Sequence, residues 1–140
     1  MEPQNKYLED ETGLYFLRNG IIHCIYHKNT VIDLATIKKV IKNRNSIAAG
    51  LPRPLLIEGQ GVLYWTMEAK YHTWANKDAM LFITAIAPVA NSLAFKITVN
   101  WTIHFFPPPV PVKIFTETTS ALEWLEEYKI RRSIKDLVEK

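Results

Sequence analysis

The chain has 140 residues, 48% of them hydrophobic and 22% charged, with a formal charge of +3 and a pI near 9.0. That length fits a single domain, 1–140, able to bury about two thirds of its unfolded surface. One cysteine, Cys24, excludes an intramolecular disulfide and a cysteine-built zinc cluster, and no run of apolar residues is long enough to span a membrane. Lys and Arg are scattered, so nucleic-acid binding is not expected. The densest group, Lys38, Lys39, Lys42 and Arg44, reads as a solvated helix face. No charged start followed by an apolar run marks a secretory signal, which makes the cytoplasm the expected location.

Residues 1–12 are polar and read as loosely ordered. Asn19-Gly20 then separates "LYFLR" from "IIHCIY", the signal for a tight hairpin joining 13–18 to 21–27. Cys24 falls mid-strand as a small buried hydrophobe. Asp33 caps a helix with apolar positions at Leu34, Ile37, Val40, Ile41 and Ala48, and Gly50, Pro52 and Pro54 end it. "LLIE" at 55–58 is short and apolar, as a central strand covered on both faces should be. Gly59-Gln60-Gly61 turns the chain into a helix from Thr66 to Asn76, capped by Thr66 with Glu68 in its first turn. A strand follows at 81–86, and another, "VKIF", at 112–115. The last helix, capped by Thr116 or Thr118, buries Ala121, Leu122, Leu125 and Tyr128. Ile130, Ile134 and Leu137 carry the helical spacing on through an extension at 129–140.

The stretch from Phe95 to Phe105 satisfies two periods. Phe95, Ile97, Val99, Trp101, Ile103 and Phe105 alternate as in a strand, while Lys96, Asn100 and His104 lie four apart, as on one face of a helix. Pattern alone does not decide. Parallel strands at 81–86 and 112–115 require a crossover, and 88–106 is the only chain available, so a helix over 89–106 is expected. Alternating elements from 54 to 128 then give an α/β fold: an N-terminal hairpin, βαβαβα crossovers, and a mixed, largely parallel sheet of about five strands with about four helices.

"GVLYWTMEA", "NWTIHFFPPPVPVKIFT" and "ALEWLEEY" resemble a bacterial family of small proteins with a SpoIIAA-like fold. These are relatives in shape of the STAS anti-sigma-factor antagonists, sometimes grouped with Sec14-type lipid-binding domains. Asn100, Pro111, Phe115, Ala121, Leu122, Trp124 and Leu125 carry the match, which covers roughly 13–128. The resemblance implies a STAS-like regulatory or protein-interaction module and supports the helix at 89–106. The chain departs from the phosphorylatable antagonists, which carry an Asp-Ser-Ser-type cap after the third strand. Here that stretch is Tyr64-Trp65-Thr66-Met67, leaving Thr66 as the one candidate phosphosite, although a cap hydroxyl already has a backbone partner.

Catalytic patterns are lacking. Gly59-x-Gly61 is no phosphate loop, and His23 and His27 on one strand stand too far apart, at about 13 Å, to share a metal. Most acids sit at caps and exposed faces. Glu58 is the exception, at the C-terminal end of a central strand, where open α/β sheets bind ligands; no partner base accompanies it in sequence. No enzyme activity, metal or cofactor is expected. Pro107-Pro108-Pro109-Val110-Pro111 reads as a rigid crossover loop rather than a polyproline ligand. The helix at 89–106 is more apolar than covering a sheet requires, so part of it forms an exposed patch unless the tail at 129–140 covers it. The candidate binding residues are therefore Tyr64, Trp65, Thr66, Lys96, Asn100, Trp101 and His104. The candidate partners are a second copy of the chain, another protein, or a small apolar molecule or lipid held between the 89–106 helix and the sheet.

Overall fold

A computed structural model describes residues 7–139, without the side chains of residues 74, 75 and 130–139. Strand β1 (Tyr7–Glu9) pairs antiparallel with β2 (Gly13–Arg18), adding an edge strand to a segment read as loose from sequence. Asp10 holds the corner between them. Its carboxylate accepts from the Thr12 amide and from Asn43 Nδ2, both at 2.8 Å, so side-chain bonds order a polar sequence whose Leu8 packs against the core.

Asn19 and Gly20 take left-handed angles (φ 53° and 76°), as a two-residue type I′ turn requires. They return the chain into β3 (Ile21–Tyr26), with Tyr15 opposite Cys24 and Phe16 opposite His23. After the short β4 (Thr30–Ile32), α1 (Leu34–Ala48) begins where the Asp33 carboxylate accepts from Thr36 N at 2.8 Å. It ends with Ala49 and Gly50 both left-handed, and Arg53 Nε caps the Ala48 carbonyl at 2.8 Å.

Strand β5 (Arg53–Glu58) lies between β3 and β7 (Ile83–Val89), parallel to both, and Leu55 and Leu56 are fully buried. The five-stranded order is β1-β2-β3-β5-β7. A turn at 59–61 leads to β6 (Val62–Trp65), which pairs in parallel with β4 as a separate two-stranded ribbon and then enters α2 (Met67–Ala75). Helices α3 (Leu93–Phe105) and α4 (Thr118–Glu139) complete the chain. The stretch before the prolines is helical, as the crossover requires. It starts later than expected because Pro88 and Val89 stay in the sheet and Ser92, accepting from Phe95 N, is the cap.

Three other boundaries differ from the sequence reading. The strand expected at 81–86 begins at Ile83, because Leu81 and Phe82 still belong to the turn after a short 3-10 helix. The strand expected at 112–115 runs beside β7 but forms only two isolated parallel bridges, Ile86 with Val112 and Val89 with Phe115. Lys113 N reaches Ile86 O and Phe115 N reaches Pro88 O; the rung between them is missing because Pro88 has no N–H. Helix α4 begins with the Glu117 carbonyl accepting from Ala121 N, so Glu117 holds the cap position expected of Thr116 or Thr118.

The sheet is covered on both faces. Ile37, Val40 and Ile41 of α1 pack with Ile22, Leu55 and Ile86 on one face, and Ala121 and Leu125 of α4 pack with Leu56, Ala85 and Ala87 on the other. Leu122 and Tyr128 pack half-buried beside them. Helix α4 continues to Glu139, but the packing expected of Ile130, Ile134 and Leu137 lies outside the described side chains, as do residues 1–6.

Candidate functional site

Helix α3 touches the body along a narrow edge. Only Val99 and Thr102 are buried, and the Phe95 ring lies against Gly59, where a Cβ would stand 2.8 Å from Phe95 Cε1. The outward face is apolar. Leu93, Ile97, Trp101 and Phe105 recur every four residues and are 71%, 59%, 38% and 56% exposed. The polar residues singled out from sequence flank this stripe: Asn100 and His104 are exposed and Lys96 is half-buried. Globular proteins normally turn such a stripe inward.

Further large apolar residues are exposed on neighbouring elements. Leu63 and Tyr64 of β6, with Met67 and Tyr71 of α2, are all more than half exposed. Lys70 links β6 to α3, with Nζ 5.9 Å from the Trp65 ring centre and 5.2 Å from that of Trp101, and burial there lowers its pKa. Tyr71 meets Phe106 edge-on at 5.6 Å. Thr66 caps α2, its hydroxyl accepting from Ala69 N at 3.2 Å. Trp65 and Trp101 are thus brought together through Lys70, whereas Tyr64 stands outward and Thr66 is engaged with backbone. Nothing in the sequence pattern singled out Lys70.

A cavity of about 40 Å³ lies beneath α3, at the C-terminal ends of β3, β5 and β7, which contribute Tyr26, Ile57 and Pro88. Its wall is mostly aliphatic and aromatic, and it includes Arg44. Here the structure corrects the sequence reading. Lys38, Lys39 and Lys42 are exposed, but Arg44 is 1% exposed and donates Nη2 to the Ala79 carbonyl at 2.8 Å. The signal was present: Arg44 falls on the stripe Ile37, Val40, Ile41, Ile47, three or four residues from its apolar neighbours. Trp65 also lines the cavity, with its indole nitrogen buried and without a hydrogen-bond partner among the described residues.

Several remaining titratable groups among the described residues have structural partners or are buried. The Glu58 carboxylate accepts from Thr118 Oγ1 at 3.4 Å, holding the end of β5 to the start of α4. Burial lowers the His23 pKa to about 4, with its ring stacked 4.6 Å from Phe16. Burial pushes the Cys24 thiol up to about 12, which leaves it protonated and unreactive. Among the described residues, no group of three or more His, Cys, Asp and Glu is placed to hold a metal ion, and no helix is long and apolar enough to cross a membrane.

The chain belongs to the family described as "Domain of unknown function (DUF7793)", which matches residues 15–129. Among solved structures it is similar to a protein of the DUF3478 family with a SpoIIAA-like fold from Shewanella loihica PV-4. That match has 13% identity and a TM-score of 0.51 over 86% of this chain and 90% of that one. A protein of unknown function from Arthrobacter sp. FB24 is 20% identical over 84% of this chain and 95% of its own, with a TM-score of 0.32. No curated protein matches in sequence. The α/β architecture is therefore SpoIIAA-like, with a mixed five-stranded sheet and four helices.

Proposed function

We propose that the protein is a cytoplasmic, non-catalytic interaction module of STAS-like character, and that it pairs with a second copy of itself through α3. The observation that carries this reading is the outward stripe of Leu93, Ile97, Trp101 and Phe105. The stripe is self-complementary. Its first half is aliphatic and its second half aromatic, so two helices crossing antiparallel about Val99 set Leu93 against the partner's Phe105 and Ile97 against the partner's Trp101. Such an isologous contact is the commonest route to a closed dimer. In that register Lys96, off the stripe, falls opposite the partner's Thr102 and not opposite the partner's Lys96.

Light scattering on the purified chain tests this. The expected mass is twice 16.2 kDa, falling to a single chain in Ile97→Glu, which puts a charge at the centre of the stripe. A wild-type protein that stays single at high micromolar concentration overturns the pairing, and the stripe then belongs to a different partner.

A second reading, a carrier for a small apolar molecule or lipid, draws on the cavity beneath α3. Ligand pockets for drug-sized molecules occupy about 300–1,000 Å³. At about 40 Å³ the cavity favours something far smaller than a lipid chain.

A further inference from the structure

Arg44 is the group the fold leaves unexplained. A guanidinium is a permanent charge, and an isolated buried ion costs several kcal/mol unless it is paired and hydrogen-bonded. Here the side chain is 1% exposed, its one hydrogen bond goes to a backbone carbonyl, Nε has no partner, and no carboxylate pairs with it among the described residues. Trp65 lines the same cavity, and its buried indole N–H has no hydrogen-bond partner among the described residues.

We propose that the cavity beneath α3 binds a short-chain carboxylate, with its charged end on the Arg44 guanidinium and the Trp65 indole N–H and its hydrocarbon end on the apolar wall. The unspent groups are both donors, and one is cationic, so they select an anion. A neutral apolar guest would leave the guanidinium unpaired. Size sets the upper limit: about 40 Å³ has room for roughly three water-sized groups, which suits formate, acetate or propionate and shuts out a fatty acyl chain. Elsewhere in the wall Thr73 donates its hydroxyl to the Ala69 carbonyl, Tyr26 brings a phenol, and Ile37, Ile57, Ile86 and Val99 are apolar, a poor setting for a tetrahedral, strongly hydrated oxyanion. The place is also where open α/β sheets receive ligands, beyond the carboxyl ends of parallel strands. The inference keeps the cavity of the carrier reading and gives it an anionic guest in place of an apolar one, and it does not depend on pairing through α3.

Thermal unfolding of the full chain in sodium formate, acetate and propionate tests it, against sodium chloride and sodium sulfate at matched ionic strength. The expected result is a saturable rise in Tm with the carboxylates that chloride and sulfate do not reproduce. That rise disappears in Arg44→Met, and in Trp65→Phe it needs roughly tenfold more ligand, the worth of one hydrogen bond to a charged group. Absence of a carboxylate-specific rise overturns the proposal, as does an equal rise with chloride. Should Arg44→Met not fold, Trp65→Phe decides alone, and an unchanged ligand requirement there overturns it. Light scattering reads the α3 pairing separately, so the two readings fail independently.

Discussion

Replacing His23 with Phe should remove a large part of the acid sensitivity of this protein. His23 is 6% exposed and stacked on Phe16, and Arg18 Cζ lies 4.9 Å from the Phe16 ring centre. Burial first, and then the Arg18 charge, lower its pKa from 6.5 to about 4. The unfolded imidazole takes up its proton as the pH falls through 6.5, whereas the folded one resists until about 4. The unfolded state therefore binds more protons across that window, and stability falls as pH is lowered through it. At 1.36 kcal/mol per pKa unit, the loss between pH 7 and pH 4.5 is about 2 kcal/mol from this one group. Urea unfolding at both pH values, on wild type and His23→Phe, gives the comparison. Phe can keep the stack on Phe16 and has no proton to gain. The variant should lose about 2 kcal/mol less than the wild type on acidification. Equal losses would refute the placement of a buried, neutral imidazole stacked on Phe16.

Two further expectations concern the elements that frame the site. Thr66→Ala should destabilise the fold by about 1 kcal/mol, read as a lower urea midpoint with unchanged slope, because the hydroxyl holds the Ala69 amide. For the same reason Thr66, the candidate phosphosite, should emerge unmodified from incubation with a cell extract, and phosphopeptide mapping checks this. Gly59→Ala places a methyl 2.8 Å from Phe95 Cε1, so the ring must move and α3 must lift with it. The expected cost is about 1–3 kcal/mol, with faster amide exchange over 93–105 and unchanged protection in β5. An unaltered α3 would show that Phe95 does not anchor it.

Much of the fold was legible because local chemistry and long-range need agreed. Asn19-Gly20 allowed one turn, Asp33 one helix start, and the apolar run at 55–58 one place in the sheet. The helix at 93–105 was legible through topology and the family resemblance, not through local pattern: its alternating apolar residues fit a strand equally well, and the demand for a crossover decided. What escaped the sequence depended on tertiary partners. β4 and β6 are too short to announce themselves and exist by pairing with each other. β1 is held by bonds from Asp10 to Thr12 and Asn43, the latter 33 residues away. The candidate site divides in the same way. Trp101 and the apolar excess of α3 were visible as a pattern. Arg44 stands close to three lysines in sequence, yet its spacing from Ile37, Val40 and Ile47 places it on the opposite side of α1.

The most direct test of pairing through α3 is a distance between two copies. Cys24 is fully buried, so a spin label introduced at Asn100→Cys attaches there alone. Asn100 is exposed beside the stripe and one residue from the proposed two-fold axis at Val99. With helices about 8–10 Å apart and a rise of about 1.5 Å per residue, the two labelled positions should lie within about 20 Å of each other once the label linkers are included. Dipolar electron-spin spectroscopy showing that short distance, and its loss in an added Ile97→Glu, is the predicted result. No dipolar coupling, or a distance far beyond that range in a demonstrated dimer, would contradict the account.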